Sequence, residues 1–374
     1  MKYSGTVLLI CPVFRLQHIA LVQFRNYAVQ SFDFPNRIMG ICGSNGSGKT
    51  NLLDAIYYLS FSRSYFSRPD TQNVHHGTQG LRLQGDYTLN GQAHTVTCIL
   101  RENNRKELSL DQTPYKKFSD HIGRFPAVMI APDDIELVAG PAEERRKQTD
   151  TLLSQISPPY LQQLIDYNKL LQQRNSLLKQ AAETGMLDEA LLGILDEQLA
   201  RNGDAIYAHR KAFFAQYIPL IQEIYQRIAG NDNGISLRYE SHLEQTDTLG
   251  LLRQNRSRDR ILQRTSAGIH RDDLVLMMGE SPFRSTASQG QRKSLLFAIK
   301  LAEWQVLREQ KGFNPILLLD DVFEKLDEAR MQQLLQWVCT ESDGQVFITD
   351  THPERMKQQL AATGMEFGIL EMGI

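Results

Sequence analysis

The sequence predicts an α/β fold interrupted by a helical arm, on three observations. An apolar run at 38–42 is followed by Gly43-Ser44-Asn45-Gly46-Ser47-Gly48-Lys49-Thr50 and then by a helical stretch at 51–59. A second apolar run at 315–319 ends on Asp320 and Asp321. Between them, Leu164, Leu171 and Leu178 repeat every seven residues in a Gln- and Lys-rich background, the pattern of a long amphipathic helix. The expected division is a head of residues 1–155 and 263–374, and an arm of residues 156–262.

Composition narrows the class. A chain of 374 residues holds two or three domains and a sizeable core. It is 41% hydrophobic and 22% charged, ordinary for a soluble globular protein. The net charge of −2 means that any nucleic-acid surface must be a local patch. Cys11, Cys42, Cys98 and Cys339 form no CxxC pair, which argues against a metal cluster and fits reduced thiols in the cytoplasm. No run is long enough for a transmembrane helix, so no membrane role is expected. Residues 1–14 imitate a signal peptide only faintly and read as a short extension from an upstream start codon.

The elements follow in order. Alternation at 17–23 predicts a strand, Phe24-Arg25-Asn26-Tyr27 a turn, and 32–34 a second short strand. After the first helix, 61–68 is a basic and aromatic loop that carries Arg63 and Arg68. Asn90-Gly91 lies between two alternating runs within 81–100, a hairpin signal. Residues 126–130 form a buried strand, and 143–147 open a helix with a solvated, mixed-charge face. In the arm, Thr184-Gly185 breaks the first helix. A second runs through Leu191, Leu195, Leu199, Ile206, Phe213, Tyr217 and Ile221, and Pro219 is expected to kink or split it. Residues 235–239 return to strand. Arg253, Arg256, Arg258, Arg260 and Arg264 then crowd one segment, and arginine suits phosphate better than lysine does. With Arg63 and Arg68, they are the candidate DNA contacts; solvated charge is the alternative.

The Gly43–Thr50 stretch, between strand and helix, has the context of a P-loop. Its glycines let successive N–H groups converge on phosphate oxygens, and the helix adds its positive end. Lys49 would reach the β- and γ-phosphates of ATP, and Thr50 would bind Mg²⁺. Asp320 at the end of the second run would hold Mg²⁺ through water, and Asp321 would act as general base toward the attacking water. Ser288-Gln289-Gly290-Gln291 opens a helix and resembles the signature motif of ABC-type ATPases. That resemblance implies head-to-tail homodimers, with two ATP molecules held between the P-loop of one subunit and the signature of the other. Lys325-Leu326-Asp327 resembles a D-loop at that seam, with Asp327 its acid. His352, after the expected strand at 346–349, stands where a switch histidine would sense γ-phosphate; a plain surface histidine is the alternative.

These parts, in this order and over nearly the whole chain, resemble the RecF recombination-repair proteins, a branch of the SMC-like ABC ATPases. The carriers are Phe24-Arg25-Asn26-Tyr27, the P-loop and the helix after it, Ser62-Arg63-Ser64, Gly268-Ile269-His270-Arg271-Asp272-Asp273, the signature, and Leu319-Asp320-Asp321-Val322-Phe323. Glu324 departs from the small residue common before the D-loop, and His352 is not general in the family. The resemblance implies an ABC-type P-loop ATPase head with an inserted helical arm. It implies slow, DNA-stimulated ATP hydrolysis that switches a dimeric clamp on duplex DNA near single-strand gaps and on single-stranded DNA. It implies RecR, and through it RecO, as partners in loading RecA. Two other classes share the P-loop: the ATPase subunit of a membrane transporter, and a structural DNA clamp that does not hydrolyse ATP.

Overall fold

The computed structural model describes residues 14–67, 69–324 and 328–373. The expected extension before Phe14, Arg68, and Lys325-Leu326-Asp327 with its D-loop acid lie outside the described residues. In chain order the elements are β1 (Phe14–Phe24), β2 (Tyr27–Asp33), β3 (Ile38–Cys42), α1 (Lys49–Phe61), β4 (Leu81–Leu89), β5 (Gln92–Leu100), β6 (Lys106–Leu110), β7 (Thr113–Pro114) and β8 (Ala127–Ile130). Then come α2 (Glu136–Ala139), α3 (Ala142–Ile156), α4 (Pro158–Thr184), α5 (Glu189–Ala229), β9 (Ile235–Glu240), α6 (Thr248–Leu262), β10 (Asp273–Met278), β11 (Ser281–Pro282) and α7 (Phe283–Thr286). The last are α8 (Gln289–Lys311), β12 (Ile316–Leu319), α9 (Glu328–Leu335), β13 (Val346–Asp350), α10 (Pro353–Ala361) and β14 (Phe367–Glu371). By internal contact they divide into one unit of Met1–Pro132 with Trp304–Ile374 and a second of Asp133–Glu303.

The first unit holds two sheets. One has the order β2-β1-β4-β5-β6-β7 and is antiparallel; the other has the order β14-β3-β13-β12-β8 and is parallel. The predicted hairpin is β4–β5, and Asn90 (φ 53°) and Gly91 (φ 78°) supply the two positive φ angles of its tight turn. Every residue of β3, β12 and β13 is buried, as a parallel sheet covered on both faces requires. Gly40 has no side chain because a Cβ there would come within 2.7 Å of Ile369 and 2.8 Å of Met356. Leu52, Leu53, Ile56 and Leu59 of α1 pack with Leu16, Ile19 and Leu21 of β1 and with Leu318 and Phe347.

The second unit joins α2–α7 and the sheet β11-β10-β9 to the start of α8. In α4 the fully buried row is Tyr160, Tyr167, Arg174 and Leu178, while Leu164 and Leu171 of the predicted heptad only flank the core. Arg174 is buried because it serves carboxylates. Its Nε donates to Asp196 at 2.6 Å and its Nη1 to Asp259 at 2.7 Å, tying α4 to α5 and α6. Arg210 of α5 does the same for Asp150 and Asp272, at 2.7 and 2.8 Å. The expected split at Pro219 does not occur, and α5 runs through it for 41 residues. Pro219 and Ala215, whose carbonyl a proline four residues on cannot serve, both lie on the exposed side, and buried Tyr217, Ile221 and Ile224 hold the helix on either side.

Candidate functional site

In the parallel sheet the C-terminal ends of β3, β12 and β13 meet at one edge, where open α/β sheets bind ligands. The Gly43–Thr50 loop leaves β3 there. Gly46 (φ 84°) and Gly48 (φ 105°) take left-handed conformations, and Gly48 starts α1. A Cβ on Gly48 would lie 2.6 Å from both Asn26 Nδ2 and Tyr27 Oη. The β1–β2 turn thus presses on the loop. Tyr27 Oη donates to Gly48 O at 2.9 Å, and Asn26 Oδ1 accepts from Asn51 Nδ2 at 2.7 Å. Ser44, Asn45 and Gly46 are exposed, and the buried Ser47 Oγ has no partner among the described residues. Lys49 is buried, its Nζ donating to Gly43 O at 2.7 Å and Ser44 O at 3.0 Å. Its ammonium therefore lies along the inner rim of the loop.

Thr50 and Asp320, 270 residues apart in sequence, meet here. Thr50 Oγ1 is 3.0 Å from each carboxylate oxygen of Asp320. Asp320 is 3% exposed, and burial pushes its pKa up to about 6, with the charge of Asp321 adding to the effect against hydrogen bonds from Thr349 and Thr50. A buried carboxylate and a hydroxyl in contact, all oxygen donors, suit a hard divalent cation such as Mg²⁺. Asp321 follows in a left-handed conformation (φ 46°) and is half-buried. Thr349 of β13 lies beside both acids. Its hydroxyl donates to Asp320 Oδ1 at 2.8 Å and accepts from Asp321 N–H at 2.8 Å. Next to it, buried Asp350 is held by Arg355, whose Nε donates to it at 2.8 Å. His352 is exposed at the start of α10 and makes no side-chain cap bond.

Behind α1, Asp54 is fully buried and gathers the residues around it. It accepts from Arg25 at 2.6 and 3.0 Å, from Ser64 Oγ at 2.8 Å and from Tyr65 N–H at 2.7 Å. The β1–β2 turn, the P-loop helix and the loop that carries half-buried Arg63 are thereby one hydrogen-bonded assembly.

The signature residues lie in the second unit. Ser288 and Gln291 form a reciprocal cap on α8: Ser288 N–H donates to Gln291 Oε1 at 2.8 Å, and Gln291 N–H to Ser288 Oγ at 3.3 Å. Ser288 and Gln289 are exposed, Gly290 and Gln291 half-buried. The arginine segment is helical, not a loop. Arg253, Arg256 and Arg260 recur at the spacing of one face of α6. Arg256 pairs with Glu189 of α5, and Arg260 lies 3.7 Å from the same carboxylate. Arg258 lines a separate groove of about 510 Å³ with His242, Asn255 and Ser266. Arg264 is exposed just past the helix end.

Sequence reasoning pointed to the turn at Arg25-Asn26-Tyr27, to the helix stretch with Asp54 and to the strand with Thr349, and gave none of these residues a role. Asp54 and Thr349 read as ordinary helix and strand positions, and only the tertiary fold shows what they touch. Among the described residues no helix is long and apolar enough to cross a membrane.

The RecF/RecN/SMC N terminal domain family matches residues 15–368. The DNA replication and repair protein RecF of Flavobacterium johnsoniae is 41% identical over 357 residues, covering 96% of this chain and 99% of that protein. Its counterpart in Parabacteroides distasonis is 38% identical, covering 96% and 97%. A solved structure of the recombination mediator protein RecF-ATP in the RecFOR pathway superimposes with a TM-score of 0.83 at 28% identity, over 91% of this chain and 92% of that one. The Smc head domain of Pyrococcus furiosus shares the fold, with a TM-score of 0.54 at 14% identity over 96% of this chain and 94% of that one. With the family model matching residues 15–368 and relatives 38–41% identical over almost the whole length, the chain belongs to the RecF family of DNA replication and repair proteins.

Proposed function

We propose that this protein is an ATP-dependent DNA clamp of recombinational repair: ATP drives its dimerisation on DNA near single-strand gaps, and slow hydrolysis to ADP and phosphate releases it. The observation that carries the reading is the meeting of Thr50 with buried Asp320 beside Lys49, an arrangement that suits a nucleotide triphosphate with its cation. Lys49 would exchange the Gly43 and Ser44 carbonyls for β- and γ-phosphate oxygens. Thr50 and, through water, Asp320 would hold Mg²⁺, which when bound neutralises phosphate charge. Asp321 would accept the proton of the attacking water. Ser288, Gln289, Gly290 and Gln291 would complete the site on a second copy, with Asp327 at the seam and His352 as γ-phosphate sensor.

Residues 1–155 and 263–374 serve as the ATPase head and 156–262 as the arm in this reading. Arg63, Arg68, Arg253, Arg256, Arg258, Arg260 and Arg264 are its DNA contacts. The solved RecF structures belong to the RecFOR pathway, which supports RecR and RecO as partners. RecA loading and a cytoplasmic location follow from the same reading. The test is turnover and sedimentation with and without gapped DNA. Lys49→Ala should lose ATP binding and all that depends on it. Asp321→Asn should keep ATP and accumulate as an ATP-bound dimer on DNA. Near-normal ATP affinity in Lys49→Ala would sink the site assignment.

A further inference from the structure

We infer that Thr349 is a positioning residue for both acids of the site, an inference that rests on the ATPase reading above. Thr349 is fully buried at the end of β13. Leu319 pairs with Ile348 in the parallel ladder, so the residues that follow, Asp320 and Thr349, lie side by side. Its hydroxyl has one hydrogen, and that hydrogen goes to Asp320 Oδ1 at 2.8 Å. Its lone pair takes the Asp321 N–H at 2.8 Å. Its one proton and one of its two lone pairs are thus committed, one to each acid.

The two bonds do different things. Thr50 Oγ1 is equidistant from both oxygens of Asp320 and has only one proton to give, so Thr50 does not by itself choose the carboxylate's rotation. The Thr349 donor breaks that symmetry and orients the carboxylate. At Asp321 the backbone has φ 46°, a conformation that non-glycine residues take at a cost and that surrounding structure must hold in place. The Thr349 acceptor fixes its N–H there, which aims the side chain of Asp321. A further contact braces the same turn: Arg355, bound to Asp350 next to Thr349, stacks over the Phe323 ring 5.8 Å away.

The test compares Thr349→Val, which keeps the shape and deletes both bonds, with Thr349→Ser, which keeps the hydroxyl. Binding of a fluorescent ATP analogue is titrated with MgCl₂ or measured in EDTA, and kcat and KM for ATP are measured at saturating MgCl₂. In Thr349→Val the affinity in EDTA should match that of the unsubstituted protein. The MgCl₂ concentration for half-maximal effect should rise, and kcat fall, by about 10- to 100-fold, the usual cost of losing a group that orients metal ligands. Thr349→Ser should restore both to within about threefold on the same grounds. A folded Thr349→Val with unaltered MgCl₂ dependence and kcat overturns the inference, as does a Thr349→Ser that is as impaired as the valine variant. If the valine variant does not fold, the serine variant decides alone, and a loss of about tenfold in it counts against the role. Failure of the ATPase reading itself looks different: the unsubstituted protein would show no MgCl₂ dependence and Lys49→Ala no defect, and both claims would fall.

Discussion

Replacing Arg253, Arg256 and Arg260 by alanine tests the proposed DNA surface most directly, because the three share one face of α6. Phosphate contacts release counterions, so each contact contributes about 0.9 to the slope of log affinity against log salt. Three contacts would be worth a slope of about 2.7, or about 40-fold in affinity between 50 and 200 mM salt. The structure lowers that figure, since Arg256 and Arg260 share the single carboxylate of Glu189. One of their two charges is already balanced, so the expected loss of slope is about 2 rather than about 2.7. The complementary variant, Glu189→Gln, should steepen the slope by up to about 0.9. Arg258→Ala should behave separately, because Arg258 lies off that face and lines a groove with His242, Asn255 and Ser266. The assay is fluorescence anisotropy of a labelled gapped duplex at several salt concentrations, with ATP affinity measured without DNA as the control. An unchanged slope in the triple variant, with lowered thermal stability, would show that these arginines serve Glu189 and not DNA.

Ser288→Arg should leave ATP binding by the isolated protomer intact and abolish ATP-dependent dimers in sedimentation; normal dimers would refute a signature acting in trans. Arg174→Met would strand the buried carboxylates of Asp196 and Asp259, and should cost about 3–5 kcal/mol in urea unfolding; a loss below about 1 kcal/mol would mean that the network carries little. Burial holds the His121 imidazole down at about 4, with Nε2–H donating to Leu59 O at 2.6 Å. A depressed value means that its contribution is complete above the unfolded pKa near 6.5 and is lost as pH falls toward 4. Relative to His121→Gln, the unsubstituted protein should therefore lose up to about 1.4 kcal/mol per pH unit across that window, and parallel stability curves from pH 7 to 5 would refute it.

The candidate site was legible where chemistry and local pattern coincide. Gly46, Gly48, Lys49 and Thr50 announce themselves because a phosphate loop demands glycine conformations and a terminal cation side by side. Asp320 was legible because two acids at the end of an apolar strand have few other uses. The arm was legible as helices but not in its packing. Leu164, Leu171 and Leu178 gave the visible period, while the buried row also contains Arg174, whose spacing of seven from Tyr167 fits the core face but whose charge hides it there. The roles of Thr349 and Asp54 were invisible for the opposite reason. A threonine in a buried strand and an aspartate in a helix have common explanations, and their partners Asp320 and Arg25 lie 29 residues away in each case. The arginine run was visible as charge, but Glu189, which balances part of it, sits in a different helix.

The placement of β3 between β13 and β14 bears on how the protein is made. The strand that bears the P-loop is synthesised early, at residues 38–42, yet both of its neighbours come after residue 345. A nascent chain must therefore carry the apolar Ile38-Met39-Gly40-Ile41-Cys42 strand unpaired until almost all of the sequence has been translated. Contacts so distant in sequence close slowly, and an unpaired apolar strand is a template for association with other chains. The second unit, whose residues 133–303 are contiguous, has no such wait. Synthesis would then yield a folded second unit before the parallel sheet of the first, and a ribosome stalled short of β14 would leave a chain unable to finish that sheet.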